Sequence, residues 1–270
     1  MDHAIRHIRK KLHIFSEPFN QILSYANTPS EISDGSKDFC IAEQVVTGRL
    51  CTLEGHVFRG KLYVHGIIDS FRYPKISSFQ RYQYPSRMPG KAQSRMKEYA
   101  RRIILHLGLD NSGFNIEFFY DEKRDKIWLL EINPRVSQSH TNLFWKVDGI
   151  PSLKIAVDIA LGKKPPEMRR KAKYNTSAKF YYRTFKDGRV LKAPSDEQLR
   201  EIGQKFPDTI IQKVASEGDL LSELPDQDSY SFVLANVYIG AKNTPELLDK
   251  YSKITKMLDY KIDRGDVTGE

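Results

Sequence analysis

The stretch whose reading decides the fold is 127–140, IWLLEINPRVSQSH. A strand-forming run, Ile127, Trp128, Leu129 and Leu130, stops at Glu131 and is followed by Asn133, Pro134 and Arg135. Side chains of a strand alternate faces, so Glu131 and Asn133 share one, and Arg135 continues the line. Upstream, GFNIEFFYD (113–121) is a second strand, and EKRD separates the two. Two short strands joined by a polar turn predict a hairpin. In it, Glu117 comes to lie across from Glu131 and Asn133. Three oxygen donors without His or Cys suit Mg2+ or Mn2+ rather than zinc. Mg2+ is usually held by one or two carboxylates plus substrate phosphates, so the pattern implies a nucleotide. Arg135 is placed to meet a phosphate or the charge of a phosphoryl group in transfer. Singly, each residue also fits a solvated strand face; their convergence beside Trp128, Leu129 and Leu130 singles them out.

Outward from the hairpin, FCIAEQVV (39–46), CTLEGHVF (51–58) and LYVHGIIDS (62–70) read as strands of an antiparallel meander with short connections. Residues 71–90 hold three prolines, and four aromatic residues precede Tyr84. They predict an ordered, irregular loop of the kind that binds ligands. From Ala92 to Leu109, Met96, Ala100, Ile103, Ile104 and Leu107 recur at helical spacing. Past the hairpin, SLKIAVDIALG is a helix with a glycine stop. Residues 164–177 are basic and loop-like. Beyond them come strand, Asp-Gly turn and strand (177–194), a helix capped at Ser195, strands near 209–221 and 230–241, and a helix capped by Asn243 or Thr244.

The chain has 270 residues, 40% hydrophobic and 29% charged, with a net charge of +9. No apolar run reaches the roughly 18 residues that span a bilayer. The N-terminus lacks the apolar core of a secretory signal. Cys40 and Cys51 have no metal-ligand spacing and read as reduced core thiols, which predicts a cytoplasmic protein. The positive charge is dispersed and no nucleic-acid motif accompanies it, so no nucleic-acid or membrane partner is expected. It suits a protein that handles a polyphosphate.

The segment FNIEFFYDEKRDKIWLLEINPRVSQSHTNLFWKVDGIPSLKIAVDIALG resembles the C-terminal core of the ATP-grasp superfamily. Its continuation from Asn133 is similar to the large subunit of carbamoyl-phosphate synthase and more loosely to biotin carboxylase. The resemblance implies an α+β fold: an ATP-grasp C-terminal lobe with an antiparallel sheet, plus a smaller α+β C-terminal subdomain. It implies a helical remnant of the preceding lobe over 1–36, a nucleotide- and metal-binding lobe over 37–165, and the subdomain over 174–270. Glu117, Glu131 and Asn133 match the family's metal ligands, and Arg135 its catalytic arginine. Glu43, Gln44, Val45 and Val46 match the hinge that holds adenine. Leu50 stands where a ribose-binding acid often lies, and Glu54 is a candidate to replace it. Arg72, Arg81 and Arg87 are candidates for a substrate carboxylate or phosphate. His140 sits at a histidine of the biotin carboxylase motif, although Ser139 replaces the acid before it.

The implied activity is an ATP- and Mg2+-dependent ligase that activates a small carboxylate as an acyl phosphate for an amine or other nucleophile. Upstream of the hinge the sequence shows no Lys-Pro strand and no glycine-rich phosphate loop. The expectation is therefore a fragment, or one half of a split enzyme whose other half is a separate chain. The alternative is a non-catalytic nucleotide-binding subunit or fragment that needs such a partner.

Overall fold

The computed structural model describes Ile5, Arg6, Ile8, Tyr25 and residues 43–168, 172–225, 227–228 and 230–263. Two compact units divide the chain, Met1–Val45 and Val46–Glu270. The helical remnant expected over 1–36 and the thiol of Cys40 lie outside the described residues, apart from Ile5, Arg6 and Ile8, which are helical, and Tyr25, which is in a turn.

The second unit is built on one antiparallel sheet. Its strands in chain order are β1 (Arg49–Phe58), β2 (Lys61–Arg72), β3 (Phe79–Tyr84), β4 (Ser112–Asp121), β5 (Lys126–Asn133), β6 (Thr176–Thr184), β8 (Ile210–Lys213) and β9 (Phe232–Ala241). Their spatial order is β5-β4-β1-β2-β3-β6-β9-β8. A two-stranded ribbon pairs β7 (Arg189–Lys192) with β10 (Lys261–Asp263). The helices are α1 (Gly90–His106), α2 (Thr141–Asp148), α3 (Ser152–Ala160), α4 (Asp196–Lys205) and α5 (Thr244–Met257).

Alternation along β1 and β4 explains how the sheet is covered. Cys51, Leu53 and Val57 of β1 and Phe114, Ile116, Phe118 and Tyr120 of β4 point to one face. There α1 buries Ala92, Met96, Ala100 and Ile104, one residue every turn. Full burial of a side chain the size of Phe114 contributes about 1.5–3 kcal/mol. The intervening residues, Thr52, Glu54 and His56 on β1 and Asn115 and Glu117 on β4, point to the other face. Part of that face packs against Leu143, Phe144 and Val147 of α2. A separate apolar cluster joins Ala178 and Phe180 of β6 to Ile202 of α4 and Leu247 and Ile254 of α5. Ser195 and Gln198 form a capping box on α4, and Asn243 caps α5, as the sequence predicts.

Three expectations change. Residues 43–46, read as the end of a strand, are irregular, and the first strand begins at Arg49. The 71–90 segment is not a loop throughout: β3 lies within it and joins β2 to β6. Buried Gln83 and Tyr84 anchor that strand, so its aromatic content reports packing rather than an open binding loop. Leu107 is 61% exposed and closes α1 instead of lining its core face. The strand after the Asp-Gly turn, β7, pairs with β10. Because β3 bonds to β6, the 37–165 and 174–270 segments share one continuous sheet.

Candidate metal and phosphate site

The hairpin of β4 and β5 has a bulge where the chemistry lies. From the turn, Asp121 pairs with Lys126 and Phe118 with Leu129; then the register shifts, and Glu117 faces Glu131 while Asn115 faces Asn133. Leu130 is the extra residue. A continued register would have set Glu117 against Leu130, so the bulge is what brings the two carboxylates opposite each other.

The polar groups interlock. Asn133 donates Nδ2 to Glu131 Oε1 at 2.7 Å and to Asn115 Oδ1 at 3.2 Å. Arg135 donates to Asn133 Oδ1 at 3.5 Å, and Asn115 Nδ2 donates to the Arg135 carbonyl at 2.8 Å. Burial and the facing Glu131 carboxylate push the Glu117 carboxyl up, against the opposing pull of His140, Arg72 and Arg135. Two carboxylates held opposite each other repel, and a divalent cation between them would remove that cost. Among the described residues no set of three His, Cys, Asp or Glu forms a metal cage. Two carboxylates with one amide leave coordination positions to water and phosphate oxygens, which is how Mg2+ is usually bound. The donor set fits the ion.

Behind the platform lies a buried relay of polar groups. Glu54 is fully buried. Its Oε2 accepts from the Ser137 N–H and meets His140 Nδ1, both at 3.0 Å. Its Oε1 has no hydrogen bond among the described residues; His65 Nδ1 lies 3.8 Å away. His65 Nε2 lies 2.8 Å from His56 Nδ1. Burial alone would raise the Glu54 pKa, yet the hydrogen bond with His140 and the nearness of His65 hold it at about 2. Burial and the His65 charge bring His56 down to about 4. Glu54 therefore cannot reach a ribose, and that expectation is corrected. It fixes the segment that follows Arg135. Asn115, two residues before Glu117 on the same face, is the residue that the sequence reading missed; alternation from Glu117 would have found it.

The remaining candidates spread over this face. Arg72 is exposed and lies 5.9 Å from the Phe119 ring, close enough to act on the Glu117 charge. Arg81 is half-buried, stacked 3.7 Å from the Phe71 ring and bonded to Gln80 and Gln83. Arg87 is exposed; its backbone N–H, not its guanidinium, donates to Asp69. His140 is 3% exposed and turned towards Glu54, which makes it interior support. Glu43, Gln44 and Val45 are exposed, in the first unit. Val46 lines a 390 Å³ cavity with Gly48, Arg49, Asp69, Arg72 and Phe119. Cys51 is buried between strands, where desolvation pushes its thiol up and leaves it unreactive.

Comparison with known proteins agrees with this geometry. The family model for the carbamoyl-phosphate synthase L chain, ATP binding domain, matches residues 85–168. The carbamoyl phosphate synthase large chain of Myxococcus xanthus is 33% identical over 131 residues, 47% of this chain and 11% of its own length. That of Thermus thermophilus is 37% identical over 86 residues, 32% of this chain and 8% of its own. The chain thus spans only about a tenth of the curated relatives it matches. Among solved structures, phosphoribosylglycinamide synthetase from Anaerococcus prevotii superposes with a TM-score of 0.65 at 15% identity, covering 91% of this chain and 59% of that one. L-amino acid ligase from Bacillus licheniformis gives 0.66 at 15%, covering 82% and 55%. Biotin carboxylase from Campylobacter jejuni gives 0.60 at 14%, covering 82% and 48%. The chain thus shares the fold of these structures, and its 85–168 segment matches the ATP binding domain of the carbamoyl-phosphate synthase L chain.

Proposed function

We propose that this chain carries the metal- and phosphate-binding side of an ATP-dependent ligase. Glu117, Glu131 and Asn133 hold Mg2+, or Mn2+, against the phosphates of ATP. The ion, when bound, draws charge from the γ-phosphate oxygens. Arg135, bonded to Asn133, faces the same phosphates and stabilises the phosphoryl group in transfer. A substrate carboxylate oxygen bonds to the γ-phosphorus while the bond from that phosphorus to the ADP oxygen breaks. An amine or other nucleophile then bonds to the carbonyl carbon of the acyl phosphate, phosphate departs and the nucleophile loses its proton. Val46 and the cavity beside it are the adenine side, with Glu43, Gln44 and Val45 preceding it. A separate chain with a phosphate-covering loop, and a cytoplasmic location, belong to the same reading.

The observation that carries it is the cross-strand pair Glu117 and Glu131 beside Asn133 and Arg135. The second reading is a nucleotide-binding subunit without turnover, which would use the same platform to hold the nucleotide. Mg2+-dependent ADP release, measured with any partner chain supplied, separates them. The wild type is expected to turn over, and Glu131→Ala to lose on the order of 100-fold or more. Unchanged turnover in the variant would remove Glu131 from the metal site.

A further inference from the structure

Lys179 is a cation in the wrong place for a structural residue. It lies on β6 and is 7% exposed. Its Nζ makes one hydrogen bond among the described residues, to Ser139 Oγ at 3.0 Å. The rings of Tyr181 and Tyr238 flank it at 4.5 and 5.7 Å. An ammonium has three protons to donate, and a buried one ordinarily takes a carboxylate partner. Arg183, four residues on, has one in Asp228 at 2.5 Å; Lys179 has none among the described residues. Burial, reinforced by the Arg183 charge, pulls the Lys179 pKa down to about 8.

The side chain borders a 570 Å³ cavity, a size suited to a small metabolite. Lys179 is the one charged group among its described lining residues; most of the rest are amides, hydroxyls and tyrosine rings. Asn236, also on the wall, has its Oδ1 buried without a hydrogen bond among the described residues. Gln212 is already oriented, accepting from the Tyr238 hydroxyl at 3.3 Å. The cavity thus holds an uncompensated cation and an unsatisfied amide oxygen, both explained by a missing ligand. The rim residue Ser139 is four positions after Arg135, on the segment that Glu54 anchors through Ser137 and His140.

We infer that this cavity is the acceptor site, taking a small monocarboxylate whose anion pairs with Lys179 and whose amino, hydroxyl or amide group is read by Asn236 and Gln212. The inference rests on the ligase reading and adds the class and the place of its carboxylate substrate. A single lysine balances a monoanion; phosphate sites usually gather several cations or backbone N–H groups.

The test is saturation-transfer NMR on the full chain with the twenty L-amino acids and lactate as probes, each beside its methyl ester, and with inorganic phosphate as the rival anion. MgATP binding is followed separately by calorimetry. At least one free carboxylate is expected to bind while its ester does not. Lys179→Met is expected to weaken it at least ten-fold while leaving MgATP affinity unchanged. Asn236→Asp, which supplies Lys179 with an internal carboxylate, is expected to act the same way and covers the case in which Lys179→Met does not fold. Glu131→Ala is expected to show the reverse, losing MgATP and keeping the carboxylate. Binding of phosphate alone, of no probe at all, or of a carboxylate insensitive to both cavity variants overturns the assignment. Loss of MgATP binding by the wild type instead overturns the ligase reading and leaves the carboxylate result to stand by itself.

Discussion

Glu54 keeps its charge where no water reaches it, because two histidines and a backbone N–H surround it. A hydrogen bond to a charged group contributes about 1.5–3 kcal/mol. Glu54→Gln keeps the shape and loses the charge, so it is expected to destabilise by about 2 kcal/mol in urea unfolding. The sign with pH follows from the depressed pKa of about 2 in the folded state. The carboxylate's contribution is complete above its unfolded pKa, about 4.3, and is lost as pH falls towards 2. Melting temperatures between pH 5 and 2 should therefore drop more steeply in the wild type than in Glu54→Gln; parallel curves would show that Glu54 is not the linked group. None of this was legible in TLEGHVF, where Glu54 reads as one polar position of an alternating strand. Its partners, His65 and His140, are 11 and 86 residues away, and only the folded sheet brings them together. Glu131, Asn133 and Arg135 were legible because their relation is local.

The hairpin shows how far an element can be read from sequence. Two strands and the turn at 122–125 follow from composition, but the bulge at Leu130, a shift in the pairing register of β4 and β5, does not. A tighter case is Gly66 on β2, opposite Glu54. A Cβ there would lie 2.4 Å from the Tyr84 ring of β3. Tyr84 is 1% exposed and packs on Phe144, so the ring has little room to retreat. Gly66→Ala is expected to cost about 1–3 kcal/mol by overpacking, read as a lower urea midpoint with an unchanged slope. An unaffected midpoint would mean that β3 can slide on β2. The close approach also explains why β3 was missed: Pro74 and Pro85 on either side of it resemble a loop, while its place is set by contacts with β2 and β6.

Across the whole molecule, the sheet passes without a break from the hairpin through β3 into β6 and β9. This continuity sets the proposed metal platform at one edge and the Lys179 strand further along, joined by the 135–140 segment. The antiparallel architecture and the hairpin were readable from periodicity. The order of strands was not, because β1 joins β2 to β4 and β3 joins β2 to β6 across long separations in sequence. The central claim is that Glu117, Glu131 and Asn133 form one metal-phosphate platform. Calorimetric titration of ATP into the full chain, with and without Mg2+ and beside Glu131→Ala, tests it most directly. The account predicts saturable binding that requires Mg2+ and weakens about 100-fold in the variant, in line with losses at metal sites. Binding of equal strength without the metal, or in Glu131→Ala, would contradict it.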